Sequence, residues 1–158
     1  MQMSEHGLKL LEQWEGFEKK LYNDSAGLPT IGVGHLLTKS ELSSGKIVIN
    51  GAPVQYDVGL SDQQILDLLK QDLAPVTQLV TNKVTVPLDQ NQFDALTSFT
   101  FNVGGAAFNG STLLKLLNQG QYHEVPAQLR RWNKSGGKVV QGLTNRRENE
   151  VKLWNGVI

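Results

Sequence analysis

The residues of this chain best suited to acid–base chemistry are Glu15 and Asp24, with Thr30 shortly beyond them. Glu15 closes residues 4–15, where Leu8, Leu11 and Trp14 recur at helical spacing, Ser4 can cap the start and Gly16 can stop the end. The last turn of a helix presents unpaired carbonyls, its negative pole, and disfavours a carboxylate. A partly desolvated glutamic acid there is held towards its neutral form, the state a general acid needs. Asp24 falls in the turn Asp24-Ser25-Ala26-Gly27, whose backbone N–H groups and hydroxyls favour the ionised form. Thr30 offers a small hydroxyl able to hold a water beside Asp24. Two carboxyls whose surroundings push them apart in this way make the acid/base pair of glycoside hydrolysis. Taken alone, the same placements also suit an ordinary helix-end Glu and turn Asp, and their spacing does not decide.

The elements that must hold these groups follow from the pattern of the chain. Leu28-Pro29 is turn chemistry, and Thr30-Ile31-Gly32-Val33-Gly34-His35 alternates like one strand with thinned side chains. Two extended runs around Asn50-Gly51, over 46–54, predict a hairpin, so 17–60 should hold a small antiparallel sheet. From Ser61 onward everything reads as helical. Ser61 caps a long helix that Pro75 should end or kink. Further helices are expected from about Asp89, over Ser111–Asn118, over Tyr122–Trp132 with Pro126 near its start, and after Gly142. The fold class is α+β: a lobe over 1–60 bearing the carboxyls, a larger helical lobe over 61–158, and a cleft expected between them.

With 158 residues, 39% of them hydrophobic and 19% charged, the chain can bury a core and is no disordered tail. The absence of cysteine excludes a disulfide scaffold, a thiol nucleophile and thiolate metal sites. No run approaches the roughly 18–20 apolar residues of a membrane span, and none resembles a signal-peptide core. A net charge of zero argues against nucleic acid as a partner. That sum hides a pattern, since residues 1–60 carry −2, residues 61–127 carry −3 and residues 128–158 carry +5. Local attraction of the C-terminal segment to an anionic polymer is one reading; a solvated helical face is the other.

The run Glu15-Gly16 … Tyr22-Asn23-Asp24 … Gly27 … Thr30-Ile31-Gly32-Val33-Gly34-His35 resembles the catalytic signature of the phage-type lysozymes, glycoside hydrolase family 24. Two more blocks follow in order: Phe101-Asn102-Val103-Gly104 with Ser111-Thr112-Leu113-Leu114, then Arg131-Trp132 … Gly136-Gly137-Lys138 … Gly142-Leu143 … Arg146-Arg147 … Glu150. The resemblance spans nearly the whole chain. It implies a lysozyme-like fold and cleavage of the β-1,4 bond between N-acetylmuramic acid and N-acetylglucosamine in peptidoglycan. Glu15 then matches the general acid, Asp24 the second carboxylate, and Thr30 the hydroxyl that helps to place the attacking water. An inverting reaction needs the two carboxyls ~6.5–9.5 Å apart. Leu36, Phe101, Asn102 and Ser111 match positions that line the sugar-binding cleft. No metal or organic cofactor is implied.

The same resemblance sets the surroundings. Some relatives begin with an apolar segment that takes them to the inner membrane, whereas this chain starts with Met1-Gln2-Met3-Ser4, almost directly at its first helix. A monomer waiting in the host cytoplasm until a holin opens the membrane is therefore expected, with action in the periplasm afterwards. His35 reads as a hydrogen-bonded structural histidine with Asp72 as its carboxylate, Arg146 and Arg147 as partners of Glu150, and Trp132 and Trp154 as packing anchors. Two rival readings are a lytic transglycosylase, which needs the acid but no second carboxylate, and an inactive cell-wall-binding module. The presence of Glu15, Asp24 and Thr30 together favours hydrolysis over both.

Overall fold

A computed structural model describes residues 1–158 and divides them into two compact units, one of 9–74 and one of 1–8 with 75–158. The break falls at Pro75, inside a helix, and not at the change of texture after residue 60. The architecture is α+β, as expected.

In the unit of 9–74, helix α1 (Glu5–Glu15) arrives capped by Ser4, whose hydroxyl accepts from the Gly7 N–H at 3.0 Å. Strands β1 (Glu18–Asn23), β2 (Pro29–Gly32) and β3 (His35–Leu36) follow as a three-stranded antiparallel sheet in that order. The stretch 30–35 is thus two strands and a turn, where one strand was expected. Gly32 and Gly34 at φ +67° and +66° reverse the chain so that Ile31 faces His35 in the ladder. A short helix the pattern did not predict, α2 (Lys39–Ser44), is set by a reciprocal cap between Thr38 and Glu41. The hairpin around Asn50-Gly51 forms as read: β4 (Lys46–Ile49) pairs with β5 (Ala52–Gln55), and both turn residues have positive φ. It is a separate two-stranded sheet. Ile47 and Ile49 point into the core with Ile31, Val33, Ile65, Leu68 and Leu69, while Val48 points out. Helix α3 (Asp62–Lys83) starts at the Ser61 cap and clamps the hairpin, since the Gln71 side chain donates to the Val48 carbonyl at 2.8 Å.

Pro75 does not end α3, which runs on to Lys83. Proline removes one helical hydrogen bond, and burial of Leu73 before it and Val80 after it holds the helix together. In the unit of 1–8 with 75–158, α4 (Gln90–Val103) is the central element. Every residue from Phe93 to Thr100 is buried, as expected of a helix surrounded on all sides. Helices α5 (Gly105–Asn109), which the pattern missed, α6 (Thr112–Asn118) and α7 (Val125–Arg130) precede α8 (Gln141–Trp154), which packs on α4. Between α7 and α8, β6 (Lys134–Ser135) and β7 (Lys138–Val139) make an exposed hairpin turned by Gly136-Gly137. The region after Ser61 is therefore not wholly helical, because paired glycines at positive φ favour a tight turn over helix. Buried Asp94 ties down the chain start, accepting from the Ser4 N–H at 3.0 Å, the Ser4 hydroxyl and the Gln90 amide at 2.9 Å.

His35 lies between two carboxylates. Its Nδ1 meets Asp72 at 2.7 Å, the partner expected, and its Nε2 meets Glu41 at 2.9 Å, a partner not foreseen. Burial alone would push the imidazole down, but the hydrogen bonds and charges of Asp72 and then Glu41 outweigh it and push His35 up to about 9. A histidine raised in the fold stabilises it below the unfolded value near 6.5, and the gain is lost as pH climbs through 9. Wild-type unfolding free energy should therefore fall by about 3 kcal/mol between pH 6.5 and 9.5. In urea titrations across that range His35→Asn should lack this slope; an identical slope in both proteins would refute the assignment.

Candidate active site

The sheet of the 9–74 unit gathers most of the residues singled out by sequence. Glu15 is the last residue of α1, half-buried, and Gly16 leaves the helix at φ +93°. Its carboxylate lies against the turn between β2 and β3: a Cβ placed on Gly34 would come within 2.6 Å of Glu15 Oε2. The bare glycine makes room for the acid at this point. Sequence reading placed Gly34 in the signature without this reason for it.

Asp24 follows β1 in a turn that its own side chain organises. Its Oδ1 accepts from the Ala26 and Leu28 N–H groups, both at 2.9 Å, and the main chain closes the turn through Asp24 N–H to Leu28 O and Gly27 N–H to Asp24 O. Thr30, buried on β2, donates its hydroxyl to the Leu28 carbonyl at 2.9 Å. Asp24 and Thr30 thus hold the two ends of one residue, Leu28. Since Thr30 spends its proton there, its oxygen is left to accept, while Asp24 Oδ2 has no protein donor. Tyr22 pairs with Thr30 in the ladder and reports the charge around it. Burial, then the carboxylates of Glu18, Glu15 and Asp24, push its phenol above the ordinary value.

Leu36 sits on β3 opposite Thr30 and is 52% exposed, an apolar surface with nothing of its own unit covering it. The other three candidates belong to the second unit. Phe101 is half-buried and Asn102 exposed in the last turn of α4. Ser111 is buried, and its hydroxyl is committed twice, donating to Phe108 O at 2.7 Å and capping α6 through Leu114 N–H at 3.1 Å. No group of three or more His, Asp or Glu side chains is arranged to hold a metal ion.

The C-terminal charge is less available than the sequence sum suggests. Arg146 and Arg147 are buried against Glu150, at 3.2 and 2.7 Å, and Arg130 pairs with Glu148 at 2.7 Å. Exposed cations on this segment are chiefly Arg131, Lys134, Lys138 and Lys152.

Known proteins resemble this chain. The family described as Phage lysozyme matches residues 12–150. The endolysin of Salmonella phage P22 is 40% identical over 154 residues, covering 98% of both chains. The endolysin of Bacillus phage PZA is 39% identical over 98% of this chain, which spans only 55% of that longer relative. A crystal structure of a P22 lysozyme mutant superposes with a TM-score of 0.80 at 38% identity, covering 98% of this chain and 99% of that one. The chain belongs to the phage lysozyme family.

Proposed function

We propose that this protein is an endolysin, a muramidase that hydrolyses the β-1,4 bond between N-acetylmuramic acid and N-acetylglucosamine in bacterial peptidoglycan and so lyses the host. The observation that carries this reading is the placement of two differently held carboxyls against one small sheet, Glu15 over the β2–β3 turn and Asp24 in the turn after β1. Glu15, at the end of α1 and packed over Gly34, is placed to give its proton to the glycosidic oxygen as the bond to the anomeric carbon breaks. Asp24, oriented by two backbone N–H groups on Oδ1, takes a proton from water through Oδ2. Thr30 accepts the other hydrogen of that water and aims its oxygen at the anomeric carbon from the opposite face, which inverts the configuration. Leu36, Phe101 and Asn102 contact sugar residues, and Ser111 contributes by fixing the start of α6. The chemistry asks for no metal or cofactor.

No helix of the chain is long and apolar enough to cross a membrane. We assign passage from host cytoplasm to periplasm to a separate membrane-opening protein, a holin, with this chain acting as a monomer. The exposed cations around the β6–β7 hairpin are the part of the basic segment able to meet anionic envelope polymers.

Glu15→Gln should lose activity by ~100-fold or more in a turbidity assay on permeabilised Gram-negative cells, with its circular dichroism unchanged. Full activity in that variant would overturn the assignment. Mass spectrometry of the wild-type digest should show reducing ends; 1,6-anhydro ends would mark a transglycosylase instead. Gly34→Ala should cost about 1–2 kcal/mol through its left-handed backbone and at least roughly tenfold in activity by displacing the Glu15 carboxylate. Gly45→Ala, equally left-handed at φ +71° but with nothing within 4 Å, should lose stability and keep activity. Equal activity losses in the two variants would count against the packing of Glu15 on Gly34 as the cause.

A further inference from the structure

Arg147 is 1% exposed, and its guanidinium is fixed on several sides. Nε faces Glu150 at 2.7 Å, Nη1 donates to the Trp132 carbonyl at 3.3 Å, and the group lies 5.1 Å from the centroid of the Phe99 ring. Phe99 is itself braced edge-on by Trp132 at 5.5 Å. From this seat Nη2 donates to Asn102 Oδ1 at 2.6 Å. A guanidinium has donors and no acceptor, whereas a side-chain amide has one end of each kind. The Asn102 oxygen must therefore turn inward: the reverse orientation would set N–H against N–H and leave a buried donor unpaired. Asn102 is exposed, and its Nδ2 donates to no protein group, so the amide presents its N–H groups to whatever binds there.

Resting on the glycan-cleaving reading above, we propose that Arg147 is a positioning residue that locks Asn102 as a hydrogen-bond donor, and never an acceptor, towards the acetamido carbonyl oxygen of a bound sugar. An acetamido oxygen only accepts and complements that donor. A sugar stripped of its acetyl group offers an ammonium, which only donates and meets a donor in return. The Arg147–Asn102 pair is thus a device for preferring N-acetylated over de-N-acetylated glycan.

The test compares kcat and KM on soluble peptidoglycan fragments with the same fragments after partial chemical de-N-acetylation. Asn102→Asp keeps an oxygen towards Arg147 but turns a second oxygen outward in place of the N–H groups. Its KM on acetylated fragments should rise about tenfold with kcat within about twofold, and its preference for them should shrink. Arg147→Lys, which lacks the rigid fork, frees the amide to turn and should shrink the preference in the same direction. Should Arg147→Lys fail to fold, Asn102→Asp decides alone. An unchanged preference in Asn102→Asp overturns the proposal, as does a fall in kcat with KM and preference constant. A wild-type protein that cleaves neither substrate overturns the glycan-cleaving reading itself, and the donor assignment falls with it.

Discussion

A carboxylate with no exposure to water, Glu150, is the constraint around which the helical unit is arranged. A buried charge of this kind is tolerated only when opposite charges and hydrogen bonds surround it. Here Arg146 and Arg147 flank it on α8, and Ser98 of α4 donates its hydroxyl at 2.6 Å. Burial pushes the Glu150 carboxyl up, and Arg147, Arg146 and Ser98 oppose it. The cluster pins α8 to α4 at a fixed register, because a slip along either helix would strand at least one charge. From the same cluster the Arg147 side chain reaches the end of α4, so the helix that fills the core also carries an ordered amide at the surface.

The unit of 9–74 positions its candidate carboxyls through its turns. Its sheet is small, and its two turns do most of the positioning. The turn after β1 is closed by Asp24 itself, which makes the candidate base part of the backbone scaffold that orients it. The turn before β3 is closed by Gly32 and Gly34, and the missing side chain of Gly34 leaves room for Glu15. The two candidate carboxyls are thus held by opposite means, one by absent atoms and the other by backbone donors.

Much of this was legible in the sequence, for identifiable reasons. Helices α1, α3, α4 and α6 announce themselves through caps and 3.6-residue periodicity, and the Asn50-Gly51 hairpin through a dipeptide that suits both left-handed turn positions. The elements that escaped are short. Helix α2 buries none of its residues, so it has no apolar stripe to detect, although Thr38-x-x-Glu41 is a capping box in plain view. Strands β2 and β3 merged in the reading because alternation continues through Gly32 and Gly34, and only their φ values reveal the reversal. Of the two outcomes expected at Pro75, an end to the helix does not occur, since tertiary burial on both sides outweighs one lost hydrogen bond. At the site, the carboxyls stood out by type and place. The hold of Arg147 on Asn102 and of Glu41 on His35 depends on contacts between residues distant or irregularly spaced in sequence, which no periodicity encodes.

Glu41 Oε1 accepts at 2.9 Å from the Thr38 N–H at the start of α2 and meets the His35 ring on β3 at 2.9 Å. Because one oxygen closes both contacts, the first turn of α2 and the β3 edge are coupled through a single acceptor. The small exposed helix is thereby tied to the strand that pairs with Thr30.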